Sequence, residues 1–327
     1  MTKQTKILVA GAGGFIGGHL VKYFLDQGYH DVKAVDIKPT KDWHQLFSAA
    51  NNIQADLSKL KNCRQVTQNI DEVYNLAANM GGINFIENHK TVCMLNVLIN
   101  THLLMAAQEN KVNRYFFSSS ACVYAQDKQL DPKHPMLQES DAYPAMPEDG
   151  YGWEKLFSER MCRHFREDYG LKTRVARFHN VYGPHSAYDD GREKAPAALT
   201  RKVIKAKLSG NHQVEVWGDG KQTRTFMYID DCIKGIDLIM HSKINEPINL
   251  GSDELVTINQ LLDVIEAHAD VELTRNYDLS APKGVRGRSS DNTLIKKYLD
   301  WEPTTSLKTG MGKLYQWLLI EMKSQKN

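Results

Sequence analysis

The stretch Lys6-Ile-Leu-Val-Ala-Gly11-Ala-Gly-Gly14-Phe-Ile-Gly17 decides the fold of this chain. Its apolar start, Lys6–Ala10, predicts a buried strand, and Gly17–Gln27 predicts the helix that follows it. Short apolar runs and helical segments keep alternating beyond it, with strands predicted at Val32–Asp36, Val73–Ala77 and Arg114–Ser118 and a helix at Cys93–Glu109. This alternation predicts an α/β chain with a doubly wound, parallel-sheet Rossmann domain.

The three spaced glycines of this stretch predict a dinucleotide site. Gly11 permits a tight turn, Gly14 lets backbone amides approach a pyrophosphate, and Gly17 lets the helix pack close to the sheet. The helix N-terminus then faces the phosphate charge, so we expect Phe15 and Ile16 to lie beside the cofactor. Three glycines between a strand and a helix are more than a plain tight turn needs.

Carboxylates after the next strands favour one form of the dinucleotide. Asp36 ends the second strand, roughly 20 residues beyond the last glycine, where it accepts hydrogen bonds from a ribose. It would repel a 2′-phosphate, so NAD is preferred to NADP, although Lys38 lies close by. Asp56 and Leu57 follow a third strand candidate and are expected near the adenine; a helix N-cap is an equal alternative for Asp56.

The second half of the chain predicts a smaller, discontinuous α/β lobe. The polar segment Gly183–Lys194 is typical of a loop over a ligand. Short strands are predicted at Val214–Trp217, Thr225–Ile229 and Pro247–Leu250, and helices at Ile258–Ala269 and Leu307–Met322. We therefore assign residues 1–181 and about 225–250 to the NAD-binding domain, and 182–224 and 251–327 to the substrate lobe.

Bulk composition excludes several functional classes. The 327 residues include 42% apolar and 24% charged residues, and 41 basic residues nearly cancel 39 acidic ones. Nucleic-acid binding needs a denser basic patch, and we find no apolar run as long as a membrane span and no signal peptide. Five scattered cysteines without a CxxC pair predict neither disulfides nor a zinc site, which favours a reducing, cytoplasmic location.

Tyr151 and Lys155 stand four residues apart, on one face of a predicted helix. An ammonium near a phenol favours the phenolate and lowers its pKa from about 10. Such a tyrosine can take a proton from a hydroxyl while a nicotinamide takes the hydride. Ser120, at the end of a strand, is expected to bond to the oxygen being oxidised, whereas Ser118 and Ser119 suit turn capping better.

At these residues the chain resembles the extended short-chain dehydrogenases/reductases. The resemblance covers almost the whole chain and includes His179-Asn-Val-Tyr-Gly-Pro184 and Tyr228-Ile-Asp230-Asp. Further segments resemble the GDP-mannose 3,5-epimerase family, namely Asn75-Leu-Ala-Ala-Asn-Met-Gly-Gly82, Ser119-Ser-Ala-Cys122-Val-Tyr124, Gly191-Arg-Glu193-Lys194-Ala-Pro196, Trp217-Gly-Asp-Gly-Lys-Gln222-Thr-Arg224 and Gly284-Val-Arg286-Gly-Arg288. The resemblance implies an NAD-dependent isomerase that makes GDP-L-galactose and GDP-L-gulose from GDP-D-mannose without net redox change.

The family's chemistry gives roles to two further residues. Oxidation at carbon 4 of the hexose makes the protons on carbons 3 and 5 acidic, so a base on one face and an acid on the other can invert a centre. By resemblance Cys122 is the base and Lys194 is the acid. From the residues alone, Cys122 is more simply a small buried hydrophobe and Lys194 a solvated loop charge.

The resemblance also implies the remaining contacts. It assigns Ala77, Ala78 and Ser118, with Tyr151 and Lys155, to the cofactor. It assigns to the substrate Gly82, Ser120, Ala121, Cys122, Asn180, Glu193, Lys194, Ala195, Lys202, Gln222, Thr223, Arg224, Arg286 and Arg288. Arginine forks suit the two phosphates of GDP, and at least one of these cations is expected to form an ordinary surface ion pair instead.

Three departures from the family pattern leave the exact hexose open. Asn79 stands where the family has an aspartate, Tyr143-Pro144 replaces Trp-Pro, and Lys205–His212 is predicted as a lengthened loop. The alternatives are a 4-epimerase, which leaves Cys122 and Lys194 unexplained, a 4,6-dehydratase, which lacks its Asp-Glu pair after the serine, and a non-catalytic NAD-binding scaffold. The superfamily also implies a homodimer.

Overall fold

The computed structural model describes residues 4–133, 136–282 and 284–324. The strands in this part of the chain are β1 Ile7–Ala10, β2 Val32–Asp36, β3 Asn51–Gln54, β4 Glu72–Asn75, β5 Arg114–Ser120, β6 Met136–Leu137, β7 Lys172–Phe178, β8 Val181–Tyr182, β9 Gln213–Trp217, β10 Thr223–Thr225, β11 Met227–Tyr228, β12 Ile248–Leu250, β13 Leu255–Thr257, β14 Thr274–Asp278 and β15 Gly287–Ser290. The helices are α1 Phe15–Asp26, α2 Leu60–Val66, α3 Ile83–Asn88, α4 Lys90–Met94, α5 Asn96–Glu109, α6 Tyr151–Tyr169, α7 Ala195–Ser209, α8 Ile229–His241, α9 Ile258–Ala269, α10 Thr293–Leu299 and α11 Leu307–Ser324.

Seven parallel strands form the central sheet, in the order β12-β7-β5-β4-β1-β2-β3. The strand order reverses at β1, so the chain leaves β1 and β4 toward opposite faces of the sheet. A crevice forms at the carboxyl ends of these two strands. The central strand β1 is fully buried, which explains why it is a continuous apolar run in the sequence.

Helices cover both faces of this sheet, which confirms the doubly wound prediction. On one face α1 and α8 bury Leu20, Phe24 and Ile236 against the strands. On the other face α2, α5 and α6 contribute a second core that includes Leu104 and Cys162. Each of these helices turns apolar side chains toward the sheet, and α6 and α8 also bury charged residues, among them Lys155 and Asp237.

The smaller lobe is built from short strands and the later helices. The strands β13, β10, β15 and β6 form one sheet, β9 pairs with β14, and α7, α9 and α11 pack on one another. The single strand predicted over Thr225–Ile229 is wrong: β10 ends at Thr225, β11 covers two residues, and α8 begins at Ile229. The domain boundaries stay predictions, although β12 joins the central sheet while β6 pairs with the lobe.

Two other expectations need correction. The segment predicted as a loop at Lys205–His212 is helical as far as Ser209, where Gly210 ends α7 with a φ of 68°. By its length and composition alone, the helical stretch Lys90–Glu109 could cross a membrane. This stretch is contrary to our expectation of no apolar run as long as a membrane span. Its residues Leu103 and Ala107 are buried in the second core, as in a core helix of a globular protein.

Candidate active site

The glycine turn at the carboxyl end of β1 leaves no room for side chains. A Cβ on Gly17 would lie 2.0 Å from the carbonyl oxygen of Gly11, and a Cβ on Gly11, whose φ is 84°, would lie 2.8 Å from the amide nitrogen of Ala77. Helix α1 begins just after Gly14, at Phe15 and Ile16, and its first amides have no partners within the helix. This cradle of bare backbone at a helix N-terminus fits the pyrophosphate of NAD.

Asp36 closes the adenosine side of this cradle. It ends β2, is buried, and accepts hydrogen bonds from the amides of Gly13 at 3.0 Å and Lys38 at 3.0 Å. Each carboxylate oxygen has a second lone pair, so the group can still accept from ribose hydroxyls. These remaining acceptor positions fit the ribose hydroxyls of the predicted cofactor.

The other predicted cofactor residues follow neighbouring strands at the same edge of the sheet. Asp56 accepts from the amide of Ser58 at 2.9 Å, and the N-cap of α2 is Lys59, so the alternative role of Asp56 as a helix N-cap is wrong. Leu57 is buried beside it. Ala77 and Ala78 follow β4, and Ser118 on β5 donates a hydrogen bond to the carbonyl of Asn75.

Ser120, Tyr151 and Lys155 come together where β5 ends and α6 begins. Ser120 is the last residue of β5, and its hydroxyl accepts from the amide of Cys122 at 3.2 Å. Tyr151 is the first residue of α6, and Lys155 lies one turn later with its Nζ 5.5 Å from the centre of the tyrosine ring. The Lys155 ammonium also lies 4.6 Å from the centre of the Phe117 ring.

The pKa of Tyr151 differs from our expectation. Burial raises the pKa of this phenol well above its usual range, and the charges of Cys122 and Glu154 raise it further. The lowering expected from Lys155 is therefore wrong for the protein alone, because burial outweighs the effect of the ammonium, which also lies 3.7 Å from Glu154. A second positive charge is needed before Tyr151 can act as a base at neutral pH, and an oxidised nicotinamide carries one.

Cys122 and Arg288 are in direct contact, although they are far apart in the sequence. Cys122 is 6% exposed in a short 3-10 turn after Ser120, and Arg288 donates to its Sγ at 3.4 Å. Burial raises the pKa of the thiol to about 11, nearby Glu148 raises it too, and Arg288 opposes both. The guanidinium thus favours the thiolate that a cysteine base requires.

Lys194 precedes α7 and is near enough to Cys122 for their charges to interact. Burial lowers the pKa of Lys194, and the charge of Cys122 raises it. Within the described residues its Nζ forms no hydrogen bond or ion pair. A free ammonium with a lowered pKa is suited to giving up a proton.

The loop that carries Lys194 is docked on the glycines after β4. The amide of Gly82 donates to the carbonyl of Arg192 at 2.9 Å, and a Cβ on Gly82 would lie 2.4 Å from the carbonyl oxygen of Glu193. Arg192 donates to Asn79 Oδ1 at 2.8 Å, so the asparagine that departs from the family pattern anchors this loop. The Glu193 carboxylate pairs with Arg201 through Oε1. Its buried Oε2 accepts no hydrogen bond from the described residues.

A cavity of about 1,120 Å³ joins these residues to the cations of the smaller lobe. Of the predicted substrate residues, Gly82, Ser120, Ala121, Cys122, Asn180, Glu193, Lys194, Ala195, Lys202, Gln222, Arg224, Arg286 and Arg288 line it. Thr223 does not belong to this lining, because its hydroxyl donates to the carbonyl of Pro132 at 2.7 Å. The assignment of Thr223 to the substrate therefore stays a prediction.

Three arginines form the positive part of the cavity. Arg224 on β10 and Arg288 on β15 are paired in register, and Arg286 lies two residues before Arg288. Burial lowers the pKa of Arg224 to about 9, and the charges of Arg288 and Arg286 act in the same direction. Arg286 forms the ordinary, partly exposed ion pair that we expected of one cation, with Asp219 at 3.1 Å. Crowded guanidinium groups of this kind are stabilised by a dianion such as a diphosphate.

Comparison with known proteins agrees with this geometry. Residues 7–251 match the NAD dependent epimerase/dehydratase family. A GDP-mannose 3,5-epimerase of Oryza sativa is 42% identical over 99% of this chain and 84% of its own, and that of Arabidopsis thaliana is 40% identical over 99% and 85%. This chain belongs to the GDP-mannose 3,5-epimerase family.

Solved structures related to this epimerase family share the fold and the cofactor. A UDP-glucose 4-epimerase of Thermotoga maritima with UDP-glucose superposes with a TM-score of 0.86 at 25% identity, over 97% of this chain and all of that one. A UDP-glucuronic acid 4-epimerase of Bacillus cereus, in complex with UDP-glucuronic acid and NAD, gives 0.82 at 27% identity over 97% and 100%. NAD is the cofactor of the family, and the glycine turn and Asp36 would hold it here.

The side chains that line the cavity and that sequence reasoning did not assign include Glu87, Glu148, Glu215 and Trp217. Glu148 lies three residues before Tyr151, and its amide donates to the carbonyl of Cys122 at 3.0 Å. Glu215 and Trp217 share one face of β9, which the alternating burial of that strand could have indicated.

Proposed function

We propose that this protein converts GDP-D-mannose to GDP-L-galactose and GDP-L-gulose by inverting carbons 5 and 3. The observation that carries the proposal is the position of Cys122 and Lys194 in the same cavity as Ser120 and Tyr151. A 4-epimerase needs the serine, the tyrosine and Lys155 but gives no task to a cysteine contacted by an arginine, or to a half-buried lysine without a hydrogen bond or ion pair among the described residues.

The chain's own residues divide the reaction into an oxidation and an inversion. Tyr151 takes the proton of the 4-hydroxyl, and Ser120 donates a hydrogen bond to that oxygen. NAD supplies a reversible hydride acceptor, so the sugar is oxidised transiently and reduced again without net redox change. Lys155 would orient the cofactor ribose, and its ammonium, 5.5 Å from the centre of the tyrosine ring, would act together with the charge of the oxidised nicotinamide to stabilise the tyrosinate.

The inversion depends on two groups with opposite tasks. Cys122, as a thiolate favoured by Arg288, removes the proton next to the 4-ketone. Lys194, as an ammonium made more acidic by burial, returns a proton from the other side of the ring. Reduction of the 4-ketone then fixes the new configuration.

Incubation of the NAD-loaded protein with GDP-mannose in deuterated water tests the function. Proton NMR is expected to show that the signals of the protons on carbons 3 and 5 disappear and that two new GDP-hexoses form. Inversion at carbon 4 without deuterium uptake at carbons 3 and 5 would identify a 4-epimerase and contradict the proposal, because a hydride carried by NAD does not exchange with water.

We also propose a homodimer, formed through an apolar face of α5 and α6. Leu95 and Leu98, at the start of α5, and Trp153 and Phe157 on α6 are 39–54% exposed. Contiguous exposed apolar side chains of this kind mark protein interfaces. Phe157→Glu is expected to yield a monomer in analytical ultracentrifugation. Ile320→Glu, at an exposed position of α11, should keep the dimer. A monomeric wild type would refute the proposal.

A cytoplasmic location is also proposed. It is supported by the five cysteines, which are all free and buried in the structure. Free thiols are usual in reducing compartments. Cell fractionation with detection by antibody is expected to recover the protein with soluble cytoplasmic markers, and recovery in a secreted or membrane fraction would contradict it.

A further inference from the structure

A carboxylate, an ammonium and an indole meet in the part of the cavity that α7 and β9 of the smaller lobe line. Glu215 and Trp217 extend from the same face of β9, and Lys202 reaches them from α7. The Lys202 Nζ lies 2.7 Å from Glu215 Oε2 and 5.5 Å from the centre of the Trp217 ring, and the indole N–H donates to the same carboxylate at 3.2 Å.

A chain of contacts links Cys122 through the arginines to this cluster. Arg288 touches Cys122, Arg224 is paired in register with Arg288, and Gln222, two residues before Arg224, donates to the carbonyl of Trp217 at 3.1 Å. If the arginines hold a diphosphate, as the proposed function requires, the sugar lies toward Cys122 and the base lies toward Trp217. The inference therefore rests on the proposed function.

The chemistry of the cluster matches one base. Guanine presents two adjacent N–H donors, N1–H and the 2-amino group, which a carboxylate accepts side by side, and an O6 acceptor that suits an ammonium. Adenine and uracil do not offer this pair of donors. A tryptophan face adds stacking energy for any base but does not choose among them.

We propose that Glu215 is the residue that selects guanine, by accepting hydrogen bonds from its N1–H and 2-amino group. Trp217 stacks on the base, and Lys202 keeps the carboxylate charged and oriented. The site would thereby distinguish GDP-sugars from the UDP-sugars that related epimerases bind.

The arrangement of β9 separates this role from that of an ordinary surface ion pair. Gln213, Glu215 and Trp217 alternate along the exposed face of the strand, but Gln213 does not belong to the cavity lining among the described residues. Glu215 is 55% exposed, and an exposed ion pair contributes little stability. Replacing Glu215 is therefore expected to leave the fold intact.

Binding of GDP and of inosine diphosphate, measured by calorimetry on the NAD-loaded protein, tests the proposal. Inosine diphosphate lacks only the 2-amino group of guanine. The wild type is expected to bind GDP about tenfold more tightly, the value of one hydrogen bond to a charged acceptor. In Glu215→Ala the two affinities are expected to agree within about twofold, whereas Gln213→Ala keeps the wild-type ratio.

Two results would overturn the role of Glu215: a wild type that does not discriminate, or a Glu215→Ala protein that keeps the full preference with an unchanged melting temperature. Turnover of GDP-mannose is scored separately. Discrimination through Glu215 without exchange at carbons 3 and 5 would refute the proposed reaction and leave guanine selection standing. Exchange at both carbons with an unchanged ratio in Glu215→Ala would refute only guanine selection.

Discussion

Removal of the Arg288 guanidinium is expected to make the Cys122 thiolate scarcer. Arg288 Nη1 lies 3.4 Å from Cys122 Sγ, and its charge lowers the pKa of a thiol that burial raises to about 11. Arg288→Met leaves a side chain of similar length without the charge. The pKa of Cys122 should therefore rise further, and less thiolate should be present at any pH below it.

The size of the effect follows from the distance. Two unit charges 3.4 Å apart interact with about 1.2 kcal/mol in bulk water and about 5 kcal/mol at an effective dielectric constant of 20. Cys122 is buried and Arg288 half-buried, so the true value lies between these limits. One pKa unit corresponds to about 1.4 kcal/mol, so we expect a rise of about one unit or more and at least a tenfold loss of thiolate.

Alkylation by iodoacetamide reports this fraction directly, with mass spectrometry to identify Cys122 among five free cysteines. At several pH values below the pKa, Arg288→Met should react about tenfold more slowly or worse. Arg286→Met is the matched control: it removes a cavity arginine that is paired with Asp219 and should leave the alkylation rate near that of the wild type. Equal rates in Arg288→Met and the wild type would refute the assigned role of this contact.

Three further predictions concern the cofactor turn, the half-buried His241 and the proposed acid. Gly17→Ala places a Cβ 2.0 Å from a backbone oxygen, so thermal denaturation should show a loss of about 1–3 kcal/mol and calorimetry a loss of NAD binding; wild-type values for both would contradict the close-packed turn. Although burial lowers the pKa of His241, hydrogen bonds with Asp237 and Glu72 raise it to about 9. The contribution of His241 to the free energy of unfolding is complete below the unfolded pKa of about 6.5 and is lost as the pH rises through about 9. In urea denaturation the wild type should therefore lose up to roughly 3 kcal/mol over that window, and His241→Gln should not. An equal pH dependence in the two proteins would count against this role. Lys194→Ala should bind GDP-mannose within a fewfold of wild type by calorimetry but form product about a hundredfold more slowly or worse, and wild-type turnover would remove Lys194 from the mechanism.

The sequence was sufficient for features that depend on local patterns. The strand, the three glycines and the helix lie within one short stretch, and parallel topology brings the carboxyl ends of β1, β2, β4 and β5 to one edge. Ser120 and Tyr151 could therefore be expected together, because each lies at the end of an element that meets this edge.

Other features depend on contacts that no local pattern records. Arg288 reaches Cys122 from 166 positions away because β15 pairs with β10 in the smaller lobe. The pKa of Tyr151 also could not be read from its spacing to Lys155, because burial outweighs the ammonium. The family pattern suggested a lengthened loop at Lys205–His212, but α7 packs against α9 and α11, and the helix continues as far as Ser209.

Deuterium uptake by Cys122→Ala is the most direct test of the proposed inversion. The NAD-loaded variant is incubated with GDP-mannose in deuterated water and followed by proton NMR, beside the wild type and Cys63→Ala, which alters a cysteine buried in the core away from the cavity. We predict that Cys122→Ala keeps NAD but incorporates no deuterium at carbon 5, while the other two proteins do. Undiminished uptake at carbon 5 by Cys122→Ala would contradict the assignment of Cys122 as the base.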